Sequence, residues 1–98
     1  MARLIWKKTD SPADDVAFEL GEGSMTIGRD PQCSVFIDTP LLSRDHARVD
    51  YREGGHVLVD LGSTNLTKVN GERITERALA HGDEIHFSRA RCVYETQP

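Results

Sequence analysis

The stretch His46-Ala47-Arg48-Val49-Asp50-Tyr51-Arg52, followed across Glu53-Gly54-Gly55 by His56-Val57-Leu58-Val59-Asp60-Leu61, decides how this chain is read. Each run alternates in polarity. Ala47, Val49 and Tyr51 share one side of the first, with His46, Arg48, Asp50 and Arg52 on the other. In the second, Val57, Val59 and Leu61 oppose His56, Leu58 and Asp60. A period of two is the pleat of a strand with one face in a core, and the glycine-rich step between the runs is a hairpin turn.

The pattern extends in both directions. Val16, Phe18 and Leu20 alternate, as do Met25 and Ile27, Val35 and Ile37, Ile85 and Phe87, and Cys92 and Tyr94. Gly21-Glu22-Gly23, Asn70-Gly71 and His81-Gly82-Asp83 separate the runs. Asn70-Gly71 is the sharpest of these signals, because a two-residue type I′ turn needs positive φ at both positions. Asp30-Pro31 and Thr39-Pro40 fix loop geometry on either side of the 35–38 strand. Glu72 to Ala80 is rich in helix formers but is read as two short strands, Glu72–Ile74 and Ala78–Leu79. Thr9 to Asp15 is read as a mobile loop between strands. This spacing predicts an all-β fold, an antiparallel β-sandwich of about ten to eleven strands with binding loops at one end.

The chain has 98 residues, enough for one domain over 1–98 with an ordered core from about Leu4 to about Glu95. Hydrophobic residues at 38% and charged residues at 29% fit an ordinary soluble domain. No apolar run approaches the roughly 20 residues that cross a bilayer, and MARLIWKKTD lacks a signal-peptide core, so a cytoplasmic location is expected with no membrane partner. The net charge of −4 argues against nucleic acid, which calls for a basic stripe. Cys33 and Cys92 have neither the number nor the spacing of a disulfide framework or metal site, and read as two partly buried thiols.

Four polar blocks lie between the alternating runs: Gly28-Arg29, Ser43-Arg44-Asp45-His46, Gly62-Ser63-Thr64-Asn65 and Asn70-Gly71. They supply guanidiniums, hydroxyls and an amide, the donors that a phosphate monoester needs. Such a group carries about −1.5 to −2 charge and three strong acceptor oxygens. An arginine fork can give it two parallel hydrogen bonds, and hydroxyls add neutral donors. Ser43, Asp45 and His46 lie too close in sequence for the members of a catalytic triad to align. Gly62-Ser63-Thr64 lacks the second glycine of a nucleophile elbow, and Gly21-Glu22-Gly23-Ser24 lacks the lysine of a P-loop. His81 and His86 have no further ligands to complete a metal site. No enzyme activity, catalytic residue, metal or cofactor is expected.

In this order and inside an all-β pattern, Gly-Arg, Leu-Ser-Arg-x-His-Ala, Asp-Leu-Gly-Ser-Thr-Asn and Val-Asn-Gly resemble the forkhead-associated (FHA) domain, a phosphothreonine-binding module. The resemblance implies that Arg29, Ser43, Arg44 and Thr64 hold the phosphate and that Asn65 bonds the peptide main chain. It implies structural support from Gly28, His46, Asn70 and Gly71, with Leu41 and Leu66 as possible specificity positions. The expected partner is a phosphothreonine protein or peptide made by a Ser/Thr protein kinase, bound by a monomeric domain that can be a module of a longer protein. The alternative is a phosphate-independent docking domain of a larger complex. Two residues depart from the pattern. Leu66 stands where the family usually has glycine, and Asp45 places a carboxylate inside the Ser43–His46 block.

Overall fold

In the computed structural model, which describes residues 1–63 and 66–96, the deciding stretch forms strands β5 (Ala47–Arg52) and β6 (Gly55–Asp60). They pair antiparallel from Ala47↔Asp60 to Arg52↔Gly55. Glu53 (φ 52°) and Gly54 (φ 82°) make the two-residue turn between them. Around this hairpin lie β1 (Ala2–Trp6), β2 (Val16–Leu20), β3 (Met25–Gly28), β4 (Val35–Phe36) and β7 (Thr67–Val69). Completing the set are β8 (Glu72–Arg73), β9 (Glu76–Ala78), β10 (Glu84–Phe87) and β11 (Ala90–Thr96). One sheet runs β2-β1-β11-β10-β7-β8 and the other β4-β3-β5-β6-β9.

The two sheets enclose one core, in which Leu4, Ile27, Ile37, Leu58, Ile85, Phe87 and Tyr94 are fully buried. The fold is thus the expected β-sandwich, with one exception to its antiparallel rule. β4 runs parallel to β3, pairing Ile27 with Val35 and Gly28 with Phe36. No helix among the described residues is long and apolar enough to cross a membrane.

Several local expectations change. On β6 it is His56 and Leu58 that are buried, while Val57 and Val59 are only half-buried and Leu61 is exposed. Polarity concealed this because His56 is fully bonded inside. One ring nitrogen accepts from the Tyr94 hydroxyl at 2.9 Å and the other donates to the Gly21 carbonyl at 3.0 Å. On β5, Tyr51 is exposed and Asp50 is buried. Arg48 at 2.8 Å, with Ser24 and Arg52 also bonded, holds the Asp50 carboxyl down at about 2.

β1 escaped the alternation because both of its central residues, Leu4 and Ile5, are buried. The second short strand of the 72–80 segment is Glu76–Ala78, two residues before its expected start. Thr9 to Asp15 contains a 3-10 turn at Pro12–Asp14, tied by Thr9 to Asp14 at 2.7 Å and by Lys7 to Asp15 at 2.7 Å. β1 and β11 pair from Ala2↔Thr96 to Trp6↔Cys92, so residues 2 and 96 lie side by side.

Candidate functional site

The site begins where β3 meets the loop before β5. The Arg29 N–H donates to the Ser43 carbonyl at 3.2 Å, and the Asp30 N–H to the Arg44 carbonyl at 3.3 Å. This contact requires glycine at position 28. A Cβ there would run into the Arg44 carbonyl oxygen and lie 2.8 Å from the Arg44 carbonyl carbon. The Arg29 Nε donates to the Leu42 carbonyl at 2.9 Å. The guanidinium is thereby anchored by one nitrogen, and its terminal nitrogens have no hydrogen-bond partner among the described residues.

His46 braces this loop from beneath. It is fully buried and meets Phe87 edge-on at 5.6 Å. Its Nδ1 accepts the Ser43 N–H at 3.2 Å, which leaves Nε2–H to donate to the Leu66 carbonyl at 3.1 Å. Both nitrogens are satisfied only in the neutral ring, and burial pushes its pKa below the usual imidazole value. The Leu66 carbonyl also accepts the Ser88 N–H at 3.1 Å, bringing the β10–β11 turn to the same end of the sandwich.

Asp60 shapes the third loop. Its carboxylate accepts the N–H groups of Gly62 at 3.0 Å and Ser63 at 3.2 Å, and the hydroxyls of Ser63 and Thr67 at 2.6 Å each. Burial raises its pKa, but these donors outweigh burial and hold it below the usual carboxylate range. Leu66, three residues past Ser63, takes φ of +59°. The position where the family usually has glycine is therefore a left-handed one. Thr64 and Asn65 lie outside the described residues.

The charges are more balanced than the arginines alone suggest. Arg44 is 71% exposed and pairs with Asp30 at 3.2 Å. Asp30 is held below the usual carboxylate range first by the Gln32 N–H and then by Arg44, against the opposing effect of burial. Asp45 is exposed and accepts the buried Cys33 thiol at 3.7 Å. Burial, then the Asp45 charge, pushes that thiol up. Leu41 is exposed two residues before Ser43.

Gly28, Arg29, Ser43, Arg44 and His46 thus meet at one pole, with Leu41 and Leu66 beside them. Asn70 and Gly71 do not. They form the β7–β8 turn with φ of 52° and 85°, at the other end of β7 from Leu66. The Asn70 side chain donates to Asp83 at 2.9 Å and accepts the Glu84 N–H at 3.0 Å. This pair supports the turn into β10 rather than the loops at the Ser43 pole. Sequence reasoning missed the organising roles of Asp30 and Asp60. An Asp followed two residues later by a turn N–H was the available signal in both cases.

A β-sandwich that gathers cations, a hydroxyl and bonded loops at one pole defines a ligand-recognition module. Residues 25–88 match the FHA domain family, and the chain belongs to that family. It is 37% identical over 97 residues to the oxoglutarate dehydrogenase inhibitor of Corynebacterium efficiens, covering 99% of this chain and 67% of that protein. It is likewise 37% identical over 97 residues to the glycogen accumulation regulator GarA of Mycolicibacterium smegmatis, covering 99% of this chain and 60% of that protein. Among solved structures it resembles an FHA domain from a study of phosphothreonine-dependent FHA domain interactions. That match has a TM-score of 0.85 and 29% identity, covering 99% of this chain and 97% of that one.

Proposed function

We propose that this domain is a phosphothreonine-peptide reader for phosphorylation-dependent protein–protein interaction in Ser/Thr kinase signalling. The observation that carries the reading is the backbone junction between Arg29-Asp30 and Ser43-Arg44, which depends on the absent side chain of Gly28. It preorganises charged and neutral donors on rigid strands, so little ordering is left to oppose binding. In this reading Arg29, Ser43, Arg44 and Thr64 hold the phosphate, Asn65 holds the peptide main chain, and Leu41 and Leu66 contact flanking residues.

Its role is regulatory binding rather than catalysis, in keeping with the inhibitor and regulator names of its relatives. The partner is a phosphothreonine protein written by a Ser/Thr kinase, met in the cytoplasm by a monomeric domain. Residues 1–98 act as one module. The test is a titration with matched phosphothreonine, phosphoserine and unphosphorylated peptides, followed by amide NMR shifts. Selective binding of the phosphothreonine form, with shifts at 28–30, 41–46 and 62–67, is expected. Equal or absent binding across the three sinks the reading in favour of phosphate-independent docking.

A further inference from the structure

A second positive feature lies at the Ser43 pole and plays no part in the cradle just described. A cleft of about 150 Å³ opens between the end of β1, the 39–41 loop and the start of β11. Trp6, Leu41, Lys7, Lys8, Arg89 and Arg91 line it. Four cations around one small cleft stand out in a chain whose net charge is −4.

The four differ in how far they are neutralised. Lys7 is paired with Asp15 at 2.7 Å, and Arg91 with Glu84 at 3.3 Å. Lys8 lies over the Trp6 ring at 5.6 Å, and neither Lys8 nor Arg89 has an ion pair among the described residues. The cleft is built on the framework of the sandwich. The Lys7 N–H donates to the Arg91 carbonyl at 2.8 Å, and Ser88, next to Arg89, donates to the Leu66 carbonyl at 3.1 Å.

The cleft is also within reach of the cradle. Leu41 lines it and stands two residues before Ser43, a separation of at most about 7.6 Å between Cα atoms. An extended peptide advances about 3.3 Å per residue. A side chain a few positions from the phosphothreonine can therefore enter it.

We infer that this cleft is an anionic subsite, where Lys8 and Arg89 take an acidic or phosphorylated side chain of the same peptide that presents its phosphothreonine to the cradle. The inference rests on the phosphothreonine reading and adds a charge preference to it. Lys8 and Arg89, which have no ion pair among the described residues, contribute charge-assisted contacts, while Trp6 and Leu41 supply an apolar wall against the peptide.

The test is fluorescence anisotropy at near-physiological salt with three phosphothreonine peptides. One has neutral flanks, one carries glutamates scanned through the flanking positions, and one carries a second phosphate at the best of those positions. The wild-type domain is compared with a variant carrying both Lys8→Gln and Arg89→Gln. The glutamate peptide is expected to bind about three- to tenfold tighter than the neutral one, with the gain diminishing as salt rises. The variant is expected to lose that gain and bind the neutral peptide within about twofold of wild type, as distant screened charges should. A larger gain for the doubly phosphorylated peptide would identify a second phosphate as the preferred occupant, and a gain no larger than that of glutamate would identify a carboxylate.

Equal affinities for all three peptides, or an equal loss for all three in the variant, would overturn the subsite while leaving the phosphothreonine reading intact. Failure of every phosphopeptide to bind would overturn both.

Discussion

The imidazole of His46 holds the carbonyl of Leu66 at 3.1 Å, joining two loops that are 20 residues apart in sequence. Because its other nitrogen accepts the Ser43 N–H, one neutral ring fixes both sides of the cradle. His46→Ala leaves a buried cavity and orphans both groups, and is expected to cost about 3 kcal/mol or more. Urea unfolding checks this. A loss below about 1 kcal/mol would show that the loops hold themselves.

The same ring sets a pH dependence. Burial depresses its folded pKa below the unfolded value, so between the two the unfolded chain binds more protons. Its stability contribution is therefore complete above about pH 6.5 and is lost as pH falls toward the folded value. Unfolding measured from pH 7.5 to pH 5.5 should show this decline, and His46→Ala should flatten it. An unchanged slope in the variant would assign the decline elsewhere.

Arg29 and Arg44 are predicted to be unequal. Arg29→Ala should weaken phosphothreonine-peptide binding by about 1.5–3 kcal/mol with little change in thermal midpoint. Arg44 is 71% exposed and already paired with Asp30, so Arg44→Ala should cost less than about 1 kcal/mol. Calorimetric titration of both variants decides the order. Equal losses would mean that Arg44 gives up its pair with Asp30 entirely and holds the phosphate as strongly as Arg29 does.

Gly28→Ala drives a methyl group into the Arg44 carbonyl. It should destabilise by about 1–3 kcal/mol and weaken peptide binding even under conditions where the domain is fully folded. Retained affinity in the folded variant would separate the β3 junction from the site.

Asp60→Ala removes the shared acceptor of the Gly62 and Ser63 amides and the Ser63 and Thr67 hydroxyls. Since Thr67 is fully buried, its orphaned hydroxyl alone should cost about 1–3 kcal/mol. Hydrogen exchange at Gly62 and Ser63 should also accelerate. Unchanged protection there would contradict the assigned role.

Much of this architecture was legible because strand polarity and turn chemistry speak locally. Asn70-Gly71 is a turn of positive φ at both positions, as its residue types indicate, and the glycine-rich step Glu53-Gly54-Gly55 marks a hairpin turn. What remained hidden depends on which distant partner each residue meets. His56 looks solvent-facing until Tyr94 and Gly21 are placed against it. Asn70 could be read as a turn but not assigned to a pole, since that requires the β7–β10 register. Position 66 showed its departure as a mere residue type, and only the backbone revealed the left-handed conformation that leucine must adopt there. Asp30 and Asp60 read as ordinary acids, while their effect is to neutralise one arginine and knit one loop.

The pairing of Ala2 with Thr96 has a practical consequence. Both lie at the ends of β1 and β11 remote from the Ser43 pole, so a tether attached near either residue leaves from the far side. A biosensor surface, a fluorescent fusion or a force probe could be fixed there with the recognition face turned to solution. Attachment at residue 2 and at residue 96 should then give matching affinities.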